Sequence, residues 1–220
     1  MKLLAAHRRA TALAMMIVAV TQLSGCGPLA DMARGDPEWR VIVHQPDYYG
    51  LTALRVDLTS RAGRRVSAWW IAAHPDGPGR ATVILVHGRD GNRGDMLPIA
   101  AFLVAAGYDA MAIDLRAHGD SEGEFLSPGY LEVEEIDAAI AYAHRVSSRP
   151  IVLLGHSVGA VAVLHASSRG PAVVGAVADS PFISAFDVLD RFRARLRRDG
   201  ASSGRASGYG SWRAAASPAC

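Results

Sequence analysis

Lysine is almost absent from this 220-residue chain. Lys2 is the only one among 23 basic residues, so arginine carries nearly all the positive charge. A large excess of either sign is also lacking, with 21 acidic residues and a formal net charge of +2. Lys2, Arg8 and Arg9 fall in the leader described below, and the last 25 residues hold four Arg against one Asp, which leaves residues 26–195 at −4. Nucleic-acid binding needs a clustered basic face, and this balance gives no support for one. Cysteine is scarce: Cys26 and Cys220 are too few for a disulfide framework or a zinc site. No His, Cys, Asp and Glu cluster has metal-ligand spacing, and Gly88, Gly91 and Gly94 do not make the G-x-G-x-x-G of a dinucleotide loop. Neither metal nor cofactor is therefore expected. No internal repeat is visible. What is present is 50% hydrophobic and 20% charged residues with 22 Gly and 11 Pro. That composition fits a globular domain and excludes a disordered, collagen-like or coiled-coil chain.

The first nine residues (MKLLAAHRR) are basic, and Ala10 to Val20 form an apolar run. That run is too short for a bilayer core, which needs roughly 20 residues. A basic start, a short apolar centre and small residues after it mark an export signal. Leu23-Ser24-Gly25-Cys26 then resembles the lipobox of bacterial lipoproteins. A thiol is the nucleophile that takes up a lipid, and small Ser24 and Gly25 let a peptidase reach the bond before it. The expectation is a signal over 1–25, lipidation at Cys26 and a tether over 26–40. Gly27 rather than Asp after the cysteine leans towards the outer membrane, with the protein facing the periplasm. With Cys26 consumed, Cys220 is expected as a free thiol.

From Leu54 onward strands and helices alternate. Leu54–Thr59 alternates apolar and polar residues, a half-buried strand, and Val66–Ala73 reads as a second. Thr82–Val86 is apolar on both faces, as in a buried parallel strand. Met96–Ala106 has helical spacing and stops at Gly107. Asp109–Ile113 is a strand, and Leu131–Val146 is a helix with acids in its first turns and His144 and Arg145 in its last. Ile151–Leu154, Val158–Ser167 and Val173–Ala178 follow as strand, helix and strand. The fold class expected is α/β, a doubly wound, mostly parallel sheet.

Gly155-His156-Ser157-Val158-Gly159 fits G-x-S-x-G between a buried strand and an apolar helix, the setting of a nucleophile elbow. The turn is so tight that a Cβ at either glycine would clash. Ser157 Oγ is thereby projected above the sheet, towards the free N–H groups that open the next helix. A glycine-tolerant turn with an ordinary serine is the alternative.

Together with this elbow, three further segments resemble the α/β-hydrolase superfamily, in its esterase and serine aminopeptidase-like branch, over about Tyr48 to Leu189. They are Val86-His87-Gly88-Arg89, Asp114-Leu115-Arg116-Ala117-His118-Gly119-Asp120-Ser121, and Asp179-Ser180-Pro181-Phe182. The resemblance implies Ser157 as nucleophile and the backbone N–H groups of Arg89 and Val158 as an oxyanion hole. It implies His87 as a brace of its loop and the turn after Asp114, with His118, as structural. His156 is expected on the pocket wall, His165 in the core, and Trp69 and Trp70 at core and rim. The substrate expected is a small acyl or peptide compound.

The family order of Ser, then acid, then His is not completed. No histidine follows His165, and no strand-like segment follows Ala178. A hydrolase domain over 41–195 that lacks its last strands is expected, followed by a low-complexity tail over 196–220, with Phe186 to Arg198 as a basic helix. Asp179 is either the surviving acid or a loop cap. Two functions stay open: a lipid-anchored serine hydrolase, or a non-catalytic, hydrolase-like envelope lipoprotein. With no base in place, turnover barely above background is expected. An apolar edge at Val173–Ala178 is expected to invite aggregation.

Overall fold

The computed structural model describes residues 34–73, 79–170 and 172–182. Cys26, Cys220, the leader, the helix suggested at Phe186 to Arg198 and the tail lie outside the described residues. Among the described residues six strands form one sheet in the order β1-β2-β4-β3-β5-β6. They are β1 (Leu54–Thr59), β2 (Arg65–Ile71), β3 (Thr82–Val86), β4 (Asp109–Ile113), β5 (Ile151–His156) and β6 (Gly175–Asp179). β1, β2 and β4 pair antiparallel, whereas β4, β3, β5 and β6 run parallel. Helices α1 (Leu97–Ala105), α2 (Val133–Val146) and α3 (Val158–Ser167) make the crossovers.

The apolar character of β3 and β4 on both faces follows from cover on both sides. Ile84, Val86, Met111 and Ile113 pack with Val133, Ile136 and Ile140 of α2, while Val83, Leu85, Ala110 and Ala112 pack with Met96, Leu97 and Ala100. From β3 the chain crosses through α1 to β4 on one side, and through α2 returns past it to β5 on the other. The carboxyl ends of β3 and β5 therefore flank a topological switch point, where open α/β sheets place their crevices.

The turn after β4 is structural. Buried Asp114 accepts the N–H of Arg93 at 2.7 Å and of Asp120 at 2.9 Å, and also pairs with the Arg93 guanidinium. The same guanidinium reaches Asp120 Oδ2 at 2.6 Å and lies 4.4 Å from the Trp69 ring centroid. Gly119 sits at φ +47°, and a Cβ there would fall 2.0 Å from Asp114 Oδ2. Beside it, buried Arg116 bonds both oxygens of buried Glu135, at 3.2 and 3.0 Å. Burial pushes the Glu135 carboxyl up to about 7 although Arg116 opposes the shift.

The folded domain begins earlier than the expected boundary at residue 41. Asp36 caps a 3-10 turn, Pro37–Arg40, by accepting from the N–H of Glu38. Trp39 is buried and stacks on His118 with ring centroids 4.7 Å apart. Arg40 donates to the carbonyls of Ser121 and Gly123, each at 2.9 Å. Residues 34–40 are thus part of the domain and not a free tether.

His165 also differs from expectation. It is half-buried, with Nδ1 3.1 Å from the Gly129 carbonyl and its ring against Tyr130, because it lies at the margin of α3 and not on its buried face. Trp69 is core and Trp70 half-buried against Tyr142. Among the described residues β1 and β6 are the sheet's two edges, with Val177 of β6 51% exposed.

Candidate active site

At the end of β5 the backbone turns through Ser157 at φ 53°, ψ −115° and enters α3 at once. Such a conformation is costly for a residue with a Cβ, on the order of 1–3 kcal/mol, and persists only where its surroundings impose it. The two flanking glycines let them do so. A Cβ on Gly155 would lie 2.3 Å from the Gly159 carbonyl oxygen, and one on Gly159 would lie 2.4 Å from the His87 oxygen and 2.5 Å from the Val86 oxygen. The elbow is thus wedged against the end of β3. The Ser157 N–H donates to the Asp179 carbonyl at 2.9 Å, which ties it to the end of β6 as well.

The loop after β3 faces this elbow. A Cβ on Gly88 would stand 3.1 Å from Ser157 Cβ, so a side chain there would crowd the approach. Among the described residues the N–H groups of Arg89 and Val158 have no backbone acceptor. Val158 is the first residue of α3, where N–H groups lack intrahelical partners and the helix dipole is positive.

His87 holds that loop. Its Nε2 accepts the Leu115 N–H at 3.0 Å, so the ring proton is on Nδ1, which donates to the Gly88 carbonyl at 2.7 Å. Burial lowers its pKa to about 4. His118 is also neutral: Nδ1 donates to the Arg116 carbonyl at 2.7 Å, and burial takes its pKa down to about 3. Its Nε2 is buried and has no partner among the described residues. Both ring nitrogens of His87 are thus engaged, and the His118 ring packs between Trp39 and His87.

Asp179 ends β6 in register with His156 at the end of β5. Its Oδ2 lies 2.8 Å from His156 Nδ1, and its Oδ1 accepts from Ser180 Oγ at 2.9 Å. The bond to His156, and then that to Ser180, holds the Asp179 carboxyl below the usual carboxylate range. Sequence reasoning weighed Asp179 and His156 separately and missed the pair. The signal that could have joined them is their common place at the last rung of two neighbouring parallel strands. A cleft of about 450 Å³ opens here, lined among others by His87, Gly88, Arg89, Ile99, His156 and Asp179. Among the described residues no group of three His, Cys, Asp or Glu could hold a metal ion.

The sequence profile of the serine aminopeptidase S33 family matches residues 77–198, a span that contains Ser157, Arg89, Val158 and Asp179. The uncharacterized protein YfhR of Escherichia coli is 28% identical over 148 residues, which cover 64% of this chain and 51% of YfhR. The quorum-quenching protein AidA of Acinetobacter baumannii is 31% identical over 115 residues, 47% of this chain and 36% of AidA. The chain thus spans about half the length of YfhR, and less of AidA. Among solved structures, esterase Pf2001 of Pyrococcus furiosus superposes with a TM-score of 0.67 at 28% identity, covering 76% of this chain and 64% of that one. More than half of the residues lie within the profile match, and the fold is shared with that esterase: the chain belongs to the serine aminopeptidase S33 family of α/β-hydrolases.

Proposed function

We propose that the chain is a serine hydrolase that acts on a small ester, thioester or amide through an acyl-enzyme on Ser157. One observation carries this reading. Ser157 is held at a strained positive φ between two glycines at which an added Cβ would meet backbone oxygens, and the N–H groups of Arg89 and Val158 have no backbone acceptor among the described residues. Strain maintained at such a point is a mark of a nucleophile elbow. The N–H groups of Arg89 and Val158 would stabilise the tetrahedral oxyanion, a contribution worth about 10²–10³-fold per donor in related chemistry. Among the three chemistries the ester is favoured, because Pf2001 is described as an esterase. A fluorophosphonate probe should label the native chain at Ser157, and Ser157→Ala should abolish the labelling. An unlabelled chain would favour the non-catalytic reading instead.

We further propose that the protein is anchored in a bacterial cell envelope, on the outer membrane facing the periplasm, by lipid on Cys26. The basis is the basic start, the short apolar run and Leu23-Ser24-Gly25-Cys26. Among the described residues no helix is long and apolar enough to cross a membrane. Two or more acyl chains give stable anchoring where one is marginal. Cys26→Ser should therefore move the protein from the membrane to the soluble fraction, and equal retention of the variant would refute the anchor.

A further inference from the structure

Glu135 is a buried carboxyl on α2 with no part in the chemistry proposed for Ser157. With Arg64, Arg116, Glu132 and Glu134 it forms a cluster where the loop before α2 meets the turn after β4 and the turn between β1 and β2. The side chains of Arg116, Glu132 and Glu135 are 5%, 0% and 1% exposed. Arg64 and Glu134, 2.6 Å apart, close the cluster on its half-buried side.

Donors are shared unequally among the three acids. Glu132 accepts from the Ser127 N–H at 2.7 Å, the Gly129 N–H at 3.0 Å and the Ser127 hydroxyl, and lies 3.6 Å from Arg116. Glu134 has Arg64, with Arg116 at 3.4 Å. Among the described residues Glu135 is bonded by Arg116 alone. The two guanidinium charges balance Glu132 and Glu134. A third ionised carboxyl would leave one uncompensated negative charge in an enclosed volume, which is costly. The proton that removes it belongs on Glu135, the buried acid with the fewest donors. Burial raises both buried acids, but the Ser127 donors oppose it at Glu132, and Glu135 is the one carried up to about 7. From the other elements on α2, β3 and β4 bring Ile84, Val86, Met111 and Ile113. β1 carries Asp57, engaged by Ser67 Oγ at 3.1 Å and Arg65 at 3.9 Å. α3 carries His165 on the Gly129 carbonyl, and Arg169 beyond it pairs with Asp137 at 3.1 Å.

We infer that Glu135 is the proton-binding element of a pH-sensitive clamp, which in its neutral form holds the loop 127–132 closed against the turn after β4. With Glu135 neutral, the Arg116 charge serves Glu132, Glu134 and the Leu131 carbonyl. With its proton lost to water, the same guanidinium is divided among three carboxylates, and Glu132 and Glu135 repel. The loop is the part that gives way, because Tyr130 and Leu131 are exposed while Ile113 of β4 and Ile136 of α2 are core. Closed, the loop rests on the helix that opens at Ser157: a Cβ on Gly129 would lie 2.7 Å from Val161 Cβ of α3. Mildly acidic surroundings therefore close the clamp on α3, and alkaline ones loosen it.

Between the ordinary glutamate value of 4.5 and about 7, the folded domain holds on Glu135 a proton that the unfolded chain lacks. The stability this contributes is full below the lower value and is lost as pH rises through the upper one. Buried His87 and His118, lowered to about 4 and about 3, act in the opposite direction over the same range. The test is therefore a difference: urea unfolding of the full chain against Glu135→Gln, neutral at every pH, from about pH 5 to about pH 8. Relative to the native chain, the folding equilibrium constant of Glu135→Gln should rise on the order of 100-fold across that range. Glu132→Gln should instead lose stability throughout, because Ser127 and Gly129 lose a charged acceptor. In hydrogen exchange corrected for intrinsic rates, the Ser127 and Gly129 N–H groups of the native chain should lose protection above about pH 7, and those of Glu135→Gln should keep it. A ratio for Glu135→Gln that does not change with pH, or a rising ratio for Glu132→Gln in its place, would overturn the assignment of the proton. Native protection that stays level across that pH would overturn the clamp.

Discussion

Arg93→Met should destabilise the domain by about 3–5 kcal/mol, the range for removing one partner of a buried ion pair. Arg93 and Asp114 are both almost wholly enclosed, with side chains 3% and 0% exposed. Burial already raises the Asp114 carboxyl above its usual range, and Arg93 is the charge that opposes this. Without the guanidinium, Asp114 must either stay charged in an apolar interior or take up a proton. The first carries an uncompensated burial cost, and the second weakens its hydrogen bonds to the N–H groups of Arg93 and Asp120. The cation–π contact with Trp69 goes as well. Urea unfolding of Arg93→Met, Asp114→Asn and the double variant measures this. The double variant should lose less than the sum of the singles, because the stranded charge is absent from it. A loss below about 1 kcal/mol in Arg93→Met would show that the pair is not what holds the turn.

Gly159→Ala should remove Ser157 labelling by about 100-fold or more, from the addition of one methyl group. That methyl would meet two backbone oxygens, of Val86 and His87, at under 3 Å. Backbone atoms cannot rotate aside as a side-chain tip can, so α3 must move away from β3. A displacement near 1 Å is enough to cost about 10²-fold in a positioned reaction. Overpacking should also cost stability, about 1–3 kcal/mol. Gly170→Ala is the matched control, since nothing lies within 4 Å of its added methyl. Labelling of Gly159→Ala at the native rate would mean that the elbow does not depend on its contact with β3.

The chain declares its scaffold where the signal is local. Leu54–Thr59, Thr82–Val86, Asp109–Ile113 and Val158–Ser167 have the bounds that periodicity and flanking breakers suggest. β5 runs two residues past its apolar stretch, because Gly155 still pairs with Val86 and His156 with Asp179. β6 starts at Gly175, later than the apolar Val173 and Val174, because its ladder opens at Val152↔Gly175. Both differences are set by register with a neighbouring strand, which no single segment encodes. The tight turn through Ser157 was legible for the same local reason, since its glycines and serine are contiguous. The His156–Asp179 pair spans 23 residues and depends on that register. Trp39 and Arg40 were read as linker because their partners, His118 to Gly123, lie about eighty positions away and leave no mark on the surrounding composition.

Trp39 lies between two parts of the site. One is the Arg89 guanidinium, 5.2 Å from its ring, and the other is His118, whose own ring lies 4.9 Å from that of His87. The His87 imidazole that braces the loop after β3 is therefore kept dry by a residue from outside the sheet-and-helix framework. Any shortened version of the domain has to start at or before Arg34. A cut at 41 would remove the indole and let water reach His118, raising the proton affinity that burial now suppresses. Mild acid would then charge a ring in contact with His87, and the loop after β3 would lose its shape while every strand and helix stayed in place.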